Sequence, residues 1–465
     1  MEKQNVNNEA QFDLMPVTKK DRIYGFWDYS VVITGFAVAT WCFLIGGTLS
    51  LYVGVKTAVI ASISGNIISV LLMTLATSVQ SAKYGTDSFT ASSSLLGRRG
   101  TKAYLILVSC IMVGWIIVLC TMMSRSASNI IFGLTGIEIT SKVAIYIISL
   151  ISAFVCWLVA WKGPQLMKKM NSFVTPIFIV IMIGLIIAIS KSVGWNTVME
   201  AKPIAPFESQ WLNFLLAFEV SLGAGFSWWP NMGGLAKLCK TTRSAFWPNI
   251  IGLVFAATLG TALGTAAALV VGDSDPTAWM IPLGGIAVGV IALVLLIFAN
   301  VAANSIMIYN LGLGLKQIKF FLNKPWGVVT GFLIGLSVIG LIWAEPLYDR
   351  FYIILGVACL IYAPIVMMQL VDYFVFRKQK VNLRSLYNNS ETSKYYFWGG
   401  FNWIAIGVFI ASILIYCMLL NPFTFVPKPA FQYFTATGAV SVFAAVAYFI
   451  LGKLALQGRK IGGYK

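Results

Sequence analysis

The chain has 465 residues, of which 58% are hydrophobic and 11% are charged, and its mean hydropathy is +0.83. A soluble protein of this length needs more polar surface to cover its core, so the composition excludes a soluble globular protein. The net charge of +17 could suggest nucleic-acid binding, but the basic residues follow a pattern that membrane topology explains.

Apolar runs of about 20 residues recur along the chain, and each is long enough to cross a hydrocarbon layer of about 30 Å. The alternating pattern of a membrane barrel is absent, so these spans are predicted to be helices. We therefore predict an all-α polytopic membrane protein with twelve transmembrane helices. The predicted spans are 27–53, 57–81, 102–132, 142–161, 172–190, 210–232, 246–271, 281–314, 326–343, 350–376, 397–420 and 432–455.

The tails and the even-numbered connections hold 26 of the 33 lysine and arginine residues, whereas six lie in odd-numbered connections and Arg125 lies inside a span. Positively charged loops remain on the cytoplasmic side. This bias predicts a multi-pass protein of the cell (inner) membrane, with cytoplasmic tails at 1–26 and 456–465. The polar, basic N-terminal segment does not resemble a cleavable signal peptide. No nucleic acid and no obligate protein partner is predicted.

The chemistry of an intramembrane enzyme or a metal centre is missing from the sequence. There is no histidine, the seven cysteines are scattered, and the aspartates lie at span ends or in loops. The side chains that serine–histidine, paired-aspartate or metal-based hydrolysis would need are therefore missing. Neither a metal nor a cofactor is predicted. Transport and conduction are the functions that remain.

Two apolar segments contain residues that weaken a helix. The first reads GFAVATWCFLIGG at 35–47, and the sixth reads LLAFEVSLGAGFSWWPNMGGL at 215–235. They are five spans apart, and an odd offset places corresponding helices in opposite orientations. Interrupted segments at equivalent places in two halves are typical of inverted-repeat transporters, whose unwound backbone offers N–H and C=O groups at mid-membrane. The alternative is that the glycines only allow close helix packing.

Five short motifs carry a family resemblance. They are GFAVATWCFLIGGTLS at 35–50, VGW at 113–115, NVAAN at 300–304, VDYFVFRK at 371–378 and GGFNW at 399–403. Their order and spacing resemble the nucleobase:cation symporter-1 family, which includes cytosine and hydantoin permeases. The resemblance covers nearly the whole chain and is more specific for the family than for the substrate.

The resemblance implies a LeuT-type fold with five plus five helices in inverted repeats and two additional C-terminal helices. The first repeat would occupy 27–190, the second 210–376 and the last two helices 397–455. It also implies that a flat heterocycle binds at mid-membrane between helices 1, 3, 6 and 8. A cation would be co-transported while the helices rock around this site to give alternating access.

Trp115 matches the stacking tryptophan that the family carries on helix 3, and its indole face suits a nucleobase-like ring. It lies too deep in its span for an interfacial anchor. Met112, one turn earlier, replaces a polar residue of the cytosine permeases. Leu222 falls where the family has a second aromatic ring on helix 6. Both departures argue against cytosine itself as the substrate.

Further substrate contacts are predicted around the breaks and on helix 8. Ser221 matches a hydrogen-bonding position of the family, and Thr40 is a second polar candidate beside the first break. Trp41 could clamp the ring in place of the missing aromatic residue, as could Trp228 or Trp229. Asn304 offers a donor and an acceptor to the edge of a purine or pyrimidine. The roles of Asn300, Asn310 and Arg125 are left open.

The cation site of sodium-coupled relatives uses backbone carbonyls and two hydroxyl groups. By resemblance, the carbonyls would belong to Gly35, Val38 and Ala299, and the hydroxyl positions fall on Ala302 and Ala303. Alanine offers sodium no side-chain oxygen. The sequence therefore favours protons over sodium as the coupled cation.

Glu219 is a carboxyl group at the centre of the sixth span. A charged side chain there costs roughly 2.5–3.5 kcal/mol or more, so Glu219 is expected to face a cavity. It lies one turn before Leu222. We predict that it carries the coupled proton or accepts a substrate N–H. The alternative is a protonated acid that is held by a hydrogen bond to another helix.

The sequence thus predicts a secondary active transporter that imports a nucleobase or a related nitrogen heterocycle, coupled to H⁺ more readily than to Na⁺. The alternatives are a permease for hydantoin, allantoin or a vitamin precursor, and a facilitative channel. A channel would have a continuous polar pore, whereas a transporter has one midplane pocket that is closed on at least one side. The substrate and the oligomeric state are not determined.

Overall fold

The structure is a computed structural model that describes residues 15–38, 40–388 and 390–464. Regular secondary structure in this part of the chain is helical, apart from three isolated β-bridges. Each of the twelve predicted spans contains helix; two of them contain a broken pair, and the helix of the eighth is kinked at Gly285.

Fourteen helices make up these twelve segments. They are α1 (Phe26–Ala37), α2 (Trp41–Ser50), α3 (Val55–Tyr84), α4 (Arg98–Thr135), α5 (Lys142–Lys162), α6 (Pro164–Ser192), α7 (Gln210–Phe226), α8 (Trp229–Ala236), α9 (Thr242–Val271), α10 (Pro276–Leu315), α11 (Trp326–Asp349), α12 (Phe351–Phe376), α13 (Trp403–Leu419) and α14 (Ala436–Gln457). Short helices lie between them at Ser88–Leu96, Trp195–Glu200, Lys319–Leu322, Leu383–Tyr387 and Phe431–Phe434.

Nine helices in the described part of the chain are long and apolar enough to cross a membrane, and the count reaches ten if the bent pair α1–α2 is one span. The sixth and eleventh segments contain α7 and α13, which have 17 residues each. At a rise of about 1.5 Å per residue such a helix is roughly 25 Å long. The multi-pass helical architecture agrees with the sequence, while the total of twelve spans remains a prediction.

Both predicted breaks are present. The axes of α1, which ends at Ala37, and α2, which begins at Trp41, differ by 43°. In the sixth segment, α7 ends at Phe226 and α8 begins at Trp229, with Ser227 and Trp228 between them. Pro230 lies in the first turn of α8, where its missing N–H costs no intrahelical hydrogen bond. The prediction that these two segments lose their regular helix is therefore confirmed.

The glycines of the broken segments serve close packing and do not mark the breaks themselves. A Cβ atom on Gly46 would lie 2.3 Å from the carbonyl oxygen of Thr261, so only glycine lets α2 approach α9 this closely. A Cβ atom on Gly225 would lie 1.8 Å from Oγ of Ser69 on α3. The segments are therefore interrupted as predicted, while the close-packing interpretation holds for Gly46 and Gly225.

The helix contacts follow the order that an inverted repeat predicts. The second half of the first segment, α2, packs along α9, while the first half of the sixth segment, α7, packs along α3. At the level of whole segments, the first packs on the seventh and the sixth packs on the second, which is the exchange of partners that an inverted repeat requires, although α2 and α7 are not equivalent halves. The third and eighth helices, α4 and α10, pack along each other. The repeat boundaries at 27–190 and 210–376, and the last unit at 397–455, remain predictions.

Candidate functional site

A buried cavity with a free volume of about 20 Å³ lies where the two breaks meet α4, α10 and α12. This is room for about one water molecule, far below the roughly 300–1,000 Å³ of occupied small-molecule pockets, so a ligand can enter only when the wall moves apart. Both broken segments contribute to its wall, as inverted-repeat transporters require. The lining residues are Trp41, Met112, Trp115, Ala224, Ser227, Trp228, Asn231, Met307 and Tyr362.

Indole rings form much of the cavity wall. The ring of Trp115 packs edge-on against Phe351, with 5.0 Å between ring centroids and 81° between planes. Trp228 packs edge-on against both Phe36 and Trp41, at 4.7 Å each. These contacts fix the orientation of the indoles, so the cavity offers rigid aromatic surfaces to a flat ring.

The position of Trp41 follows directly from the first break. When a helix is interrupted, carbonyl groups of its last turn lose their intrahelical partners. The indole Nε1 of Trp41 donates a hydrogen bond of 2.8 Å to one of these groups, the carbonyl oxygen of Phe36. The break therefore positions an aromatic wall of the cavity, and the aromatic residue in turn stabilises the break.

The cavity contains three polar side chains and no charged one. The hydroxyl group of Tyr362 is buried and has no hydrogen-bond partner among the described residues. The ring of Tyr362 stacks on Trp229, at 6.1 Å and 17°. Ser227 donates to the carbonyl oxygen of Gly223 at 2.6 Å, and Asn231 Oδ1 accepts from Asn310 at 3.4 Å. An uncharged wall with an unused hydroxyl group suits a neutral ligand that forms hydrogen bonds.

Three of the predicted substrate residues, Trp41, Met112 and Trp115, lie together in this wall. The other five, Thr40, Glu219, Ser221, Leu222 and Asn304, do not line the cavity. The reason in each case is a contact that turns the side chain toward a neighbouring helix or back onto its own.

Thr40 and Asn304 take part in contacts between helices. The hydroxyl group of Thr40 donates to the amide oxygen of Asn300 on α10. Asn304 Nδ2 donates to the carbonyl oxygen of Ile116, 3.2 Å away and next to Trp115 in the chain. Nδ2 of Asn300 and Oδ1 of Asn304 are buried without a partner in the described structure. These amides therefore hold α10 against the residues that form the cavity wall.

Ser221 lies on the face of α7 that packs against α3, and the backbone of the next residue, Leu222, is also close to α3. The hydroxyl group of Ser221 donates to the carbonyl oxygen of Ala217 in its own helix, at 2.8 Å. A Cβ atom on Gly65 of α3 would lie 2.6 Å from Cβ of Ser221 and 3.2 Å from the backbone nitrogen of Leu222. The residue that α7 contributes to the cavity is instead Ala224.

Glu219 is buried and directed at the first turn of α14. Its carboxylate accepts from the backbone nitrogen of Thr437 at 3.0 and 3.2 Å, and from the hydroxyl group of Thr437 at 2.6 Å. The N-terminus of a helix presents such unpaired N–H groups, which commonly bind a carboxylate. Glu219 thus links the broken sixth segment to the last helix and lies outside the cavity wall.

The five residues of the predicted cation site are all buried near the contact of α1 with α10. Gly35 packs so closely on α6 that a Cβ atom would lie 2.1 Å from Oγ1 of Thr175, and Val38 ends α1. Ala299, Ala302 and Ala303 lie on α10. The hydroxyl group of the nearby Ser305 donates to the carbonyl oxygen of Ala302 at 2.8 Å, so it serves its own helix.

A cluster of charged side chains lies at the end of α4 that is remote from the two tails. Arg125 pairs with Asp275 and Asp349, each at 2.8 Å, and also with Glu345. It ties α4 to the start of α10 and the end of α11. A pocket beside this cluster, here called the vestibule, is lined by Arg125, Asp275, Tyr348 and Phe351 among other residues. Because Phe351 also contacts Trp115 in the cavity wall, it lies between the vestibule and the cavity.

Five lining residues were not anticipated from the sequence: Ala224, Ser227, Asn231, Met307 and Tyr362. Ser227 and Asn231 carry a usable signal, because they are polar and flank the interruption SWWPN in an apolar segment. Tyr362 belongs to the tenth span, which the family resemblance did not implicate, and nothing in its spacing indicates the cavity.

The chain is similar to known permeases in sequence and in fold. Residues 16–450 match the family model described as permease for cytosine/purines, uracil, thiamine, allantoin. A purine-uracil permease NCS1 of Arabidopsis thaliana is 23% identical over 450 residues, which cover 88% of this chain and 72% of the relative.

Two solved structures of Mhp1 have a similar fold. One is described as a nucleobase-cation-symport-1 family transporter in a closed conformation with bromovinylhydantoin bound; it has a TM-score of 0.79 and 17% identity and covers 95% of this chain and 96% of its own. The inward-facing conformation of Mhp1 has a TM-score of 0.77 and 17% identity, with 95% of each chain covered. The predicted LeuT-type fold is confirmed by this likeness.

Proposed function

We propose that this protein imports a neutral, flat nitrogen heterocycle. The premise is its family: the chain belongs to the permeases for cytosine, purines, uracil, thiamine and allantoin, which are the nucleobase:cation symporter-1 family. Membership of this family makes it a membrane transporter, and the prediction that it is not an enzyme is confirmed. The substrate, the coupled ion and the direction of transport are our proposals.

The observation that carries this proposal is the uncharged aromatic cavity between the two helix breaks. Once the wall moves apart to admit a heterocycle, its indole rings can stack on that ring, which contributes about 1–3 kcal/mol per base in aromatic sites. Tyr362, Ser227 and Asn231 supply hydroxyl and amide groups for the polar edge of the ring. A charged substrate would find no opposite charge in this wall, so a neutral ring fits best.

The position of the cavity favours a transporter over a facilitative channel. Phe351 and Trp115 pack together between the cavity and the vestibule, and the Arg125 cluster ties the surrounding helices. A channel needs a continuous polar path, whereas alternating access needs one enclosed pocket between movable gates. We therefore propose that the substrate reaches the cavity when these contacts separate.

Nucleobases are the substrate class that we favour. The Arabidopsis relative is named for purine and uracil, and one Mhp1 structure holds a hydantoin. Met112 and Met307 give this cavity an apolar, adaptable side. That side supports a purine, uracil or hydantoin-like ring more than cytosine, and allantoin or a vitamin precursor is the second candidate.

We propose protons as the coupled cation in preference to sodium. Sodium prefers several oxygen ligands, and Ala302 and Ala303 supply none from their side chains. Glu219 is our candidate for the proton carrier. When its carboxylate takes up a proton it becomes a weaker acceptor for Thr437, so protonation could loosen α14 from the broken sixth segment.

The orientation is also a proposal. The distribution of lysine and arginine supports a multi-pass protein of the cell membrane with both tails in the cytoplasm. We propose that the single chain works without an obligate protein partner and without a cofactor.

The test is thermal unfolding of the purified full-length protein with a panel of purines, pyrimidines, hydantoins and vitamin precursors. A ligand at 100 times its Kd stabilises the folded state by about 2.7 kcal/mol, so the true substrate class raises the unfolding temperature. Trp115→Ala is expected to lose this shift, while Trp343→Ala, an indole exposed far from the cavity, keeps it. Equal shifts in both variants would contradict the site.

The coupled ion is tested with the same assay and with uptake into vesicles. We expect the ligand shift to be the same in sodium and in choline buffers, and an inward proton gradient alone to drive accumulation. Ligand binding that tightens with sodium, or accumulation that needs a sodium gradient, would overturn proton coupling without affecting the heterocycle proposal.

A further inference from the structure

An open pocket lined by basic side chains lies at the end of the molecule that carries the tails. The segment before α1 contributes Arg22, the first turns of α6 contribute Lys168 and Lys169, and the connection after α8 contributes Lys240. The free volume of this open pocket is about 560 Å³. It is separate from the cavity between the breaks and shares no residue with it.

The positive charge of this pocket is only partly balanced. Lys168 Nζ pairs with Asp28 at 2.7 Å. Lys169 and Lys240 are exposed, and no carboxylate pairs with either of them in the described part of the chain. Donors therefore remain available for an anion.

Arg22 adds a buried donor to the same pocket. It is only 7% exposed, and its Nη1 donates to the carbonyl oxygens of Ala82 at 2.6 Å and Cys239 at 3.1 Å. Its Nε is buried without a partner within residues 15–38, 40–388 and 390–464. A buried guanidinium with an unused N–H group is costly unless a ligand or water completes it.

The walls of the pocket are held in place by backbone hydrogen bonds. Tyr24 donates to the carbonyl oxygen of Leu238 at 2.9 Å, and Lys240 donates to that of Tyr24 at 2.9 Å. The opposite wall is the N-terminal end of α6, a helix of 29 residues that begins at Pro164. The partial positive charge of a helix N-terminus adds to that of the lysines.

An apolar surface adjoins the basic pocket. Trp27, one residue before Asp28, is 78% exposed, and Phe173, which follows the pocket residue Ser172, is 66% exposed. In a membrane protein such side chains face acyl chains, and tryptophan marks the interface with the headgroups. The pocket thus lies at headgroup level, directly beside a surface that suits lipid tails.

We propose that this pocket binds the phosphate headgroup of an anionic phospholipid in the cytoplasmic leaflet. Basic pockets between helices on this side of a membrane hold such headgroups. Phosphate would contact Lys169, Lys240 and the free N–H of Arg22, while the acyl chains lie along Trp27 and Phe173. The lipid would then bridge the segment before α1, α6 and the connection after α8, and so stabilise their packing.

The test compares lipids added to the purified full-length protein in detergent micelles, with thermal unfolding as the measurement. Phosphatidylglycerol is the anionic lipid, phosphatidylcholine is the zwitterionic control, and glycerol 3-phosphate is the soluble anion without acyl chains. The test variant is Lys169→Gln with Lys240→Gln, and the matched control is Lys319→Gln with Lys394→Gln. All four lysines are exposed, so neither double variant disturbs the core.

Phosphatidylglycerol is expected to raise the unfolding temperature of the wild type and of the control variant, and phosphatidylcholine is not. In the test variant the half-saturating concentration should rise about 25-fold, because each lysine near an anionic surface contributes about a fivefold change. The proposal is overturned if phosphatidylglycerol has no effect on the wild type. It is equally overturned if phosphatidylglycerol stabilises both double variants with the same half-saturating concentration. The same holds if glycerol 3-phosphate raises the unfolding temperature as much as phosphatidylglycerol does.

Discussion

Tyr362 illustrates how much depends on single atoms in the cavity. Its ring is fixed by Trp229, whose indole Nε1 donates to Gln369 at 2.7 Å, but its buried hydroxyl group has no partner in the described structure. An unpaired buried hydroxyl group costs about 1–3 kcal/mol of stability. A protein that retains such a group at the wall of a cavity is expected to use it on a ligand.

Removing this hydroxyl group is therefore a sharp test. We expect Tyr362→Phe to keep or slightly raise the stability of the empty protein, since it deletes an unpaired polar group. Affinity for the substrate should fall about tenfold, the value of one lost hydrogen bond. Thermal unfolding with and without ligand measures both effects. A stability loss with unchanged ligand affinity would show that the hydroxyl group serves the fold.

Glu219 is the opposite case, because both oxygens of its carboxylate accept hydrogen bonds from Thr437. We expect Glu219→Gln to abolish accumulation driven by a proton gradient while exchange down a substrate gradient continues. The amide also loses a charge-assisted hydrogen bond, so the free energy of unfolding should fall by about 1.5–3 kcal/mol. Thr437→Ser, which keeps the hydroxyl group, is the control. Normal uphill uptake with a normal pH dependence in the glutamine variant would remove Glu219 from coupling.

At the scale of helices, the contacts above the cavity form a removable lock. Arg125 on α4 pairs with carboxylates from the start of α10 and from α11, and it is the shared partner of all three. The helices themselves are held by broad apolar packing. For the cavity to open toward the vestibule, only a few specific polar contacts therefore have to separate.

Arg125→Gln should favour the state that is open to the vestibule. Each ion pair lost at such a partly exposed position is worth up to about 1 kcal/mol. Losing three pairs can therefore shift the equilibrium between the closed state and the state open to the vestibule roughly tenfold or more. A cysteine introduced at Ala224 in the cavity wall reports the change through its reaction with a water-soluble thiol reagent. Arg350→Gln, at an exposed arginine of the same end, is the matched control. Equal labelling rates in both variants would contradict the lock.

At the scale of the whole molecule, the C-terminal segment packs into the buried part of the end that carries the two tails. Arg377 donates to Asp372 at 2.7 Å, to the carbonyl oxygen of Ser94 at 2.7 Å and to that of Gly462 at 3.0 Å. Tyr464 also donates to Asp372. One buried guanidinium thus joins the end of α12, the connection before α4 and the segment after α14.

This cluster should make a large contribution to stability. Arg377→Ala leaves Asp372 as an unpaired buried charge, which costs about 3–5 kcal/mol. The expected result is a clearly lower unfolding temperature of the protein, measured without ligand. Lys380→Ala, at an exposed basic residue of the same connection, should have little effect. A small loss in Arg377→Ala, similar to that in the control, would contradict the structural role of the cluster.

Membrane architecture, the two helix breaks and the family were accessible from the sequence because each depends on local patterns. Long apolar runs require helices that satisfy their own hydrogen bonds, and interrupted runs at an odd offset point to the breaks. Trp41 and Trp115 were found in the same way, since both lie inside recognisable motifs. These features depend on the order of residues along the chain.

Which side chains reach the cavity was decided only by the tertiary structure. Ala224 lies two residues beyond Leu222, about 200° farther around the helix, so a small error in the assumed rotation exchanges one face for the other. The rotation of α7 is set by its packing on α3 and by the hydrogen bonds of Glu219 to α14, which are distant in sequence. Tyr362 lies in the cavity wall for the same reason. Its position depends on how whole helices pack, and no local sequence pattern predicts that packing.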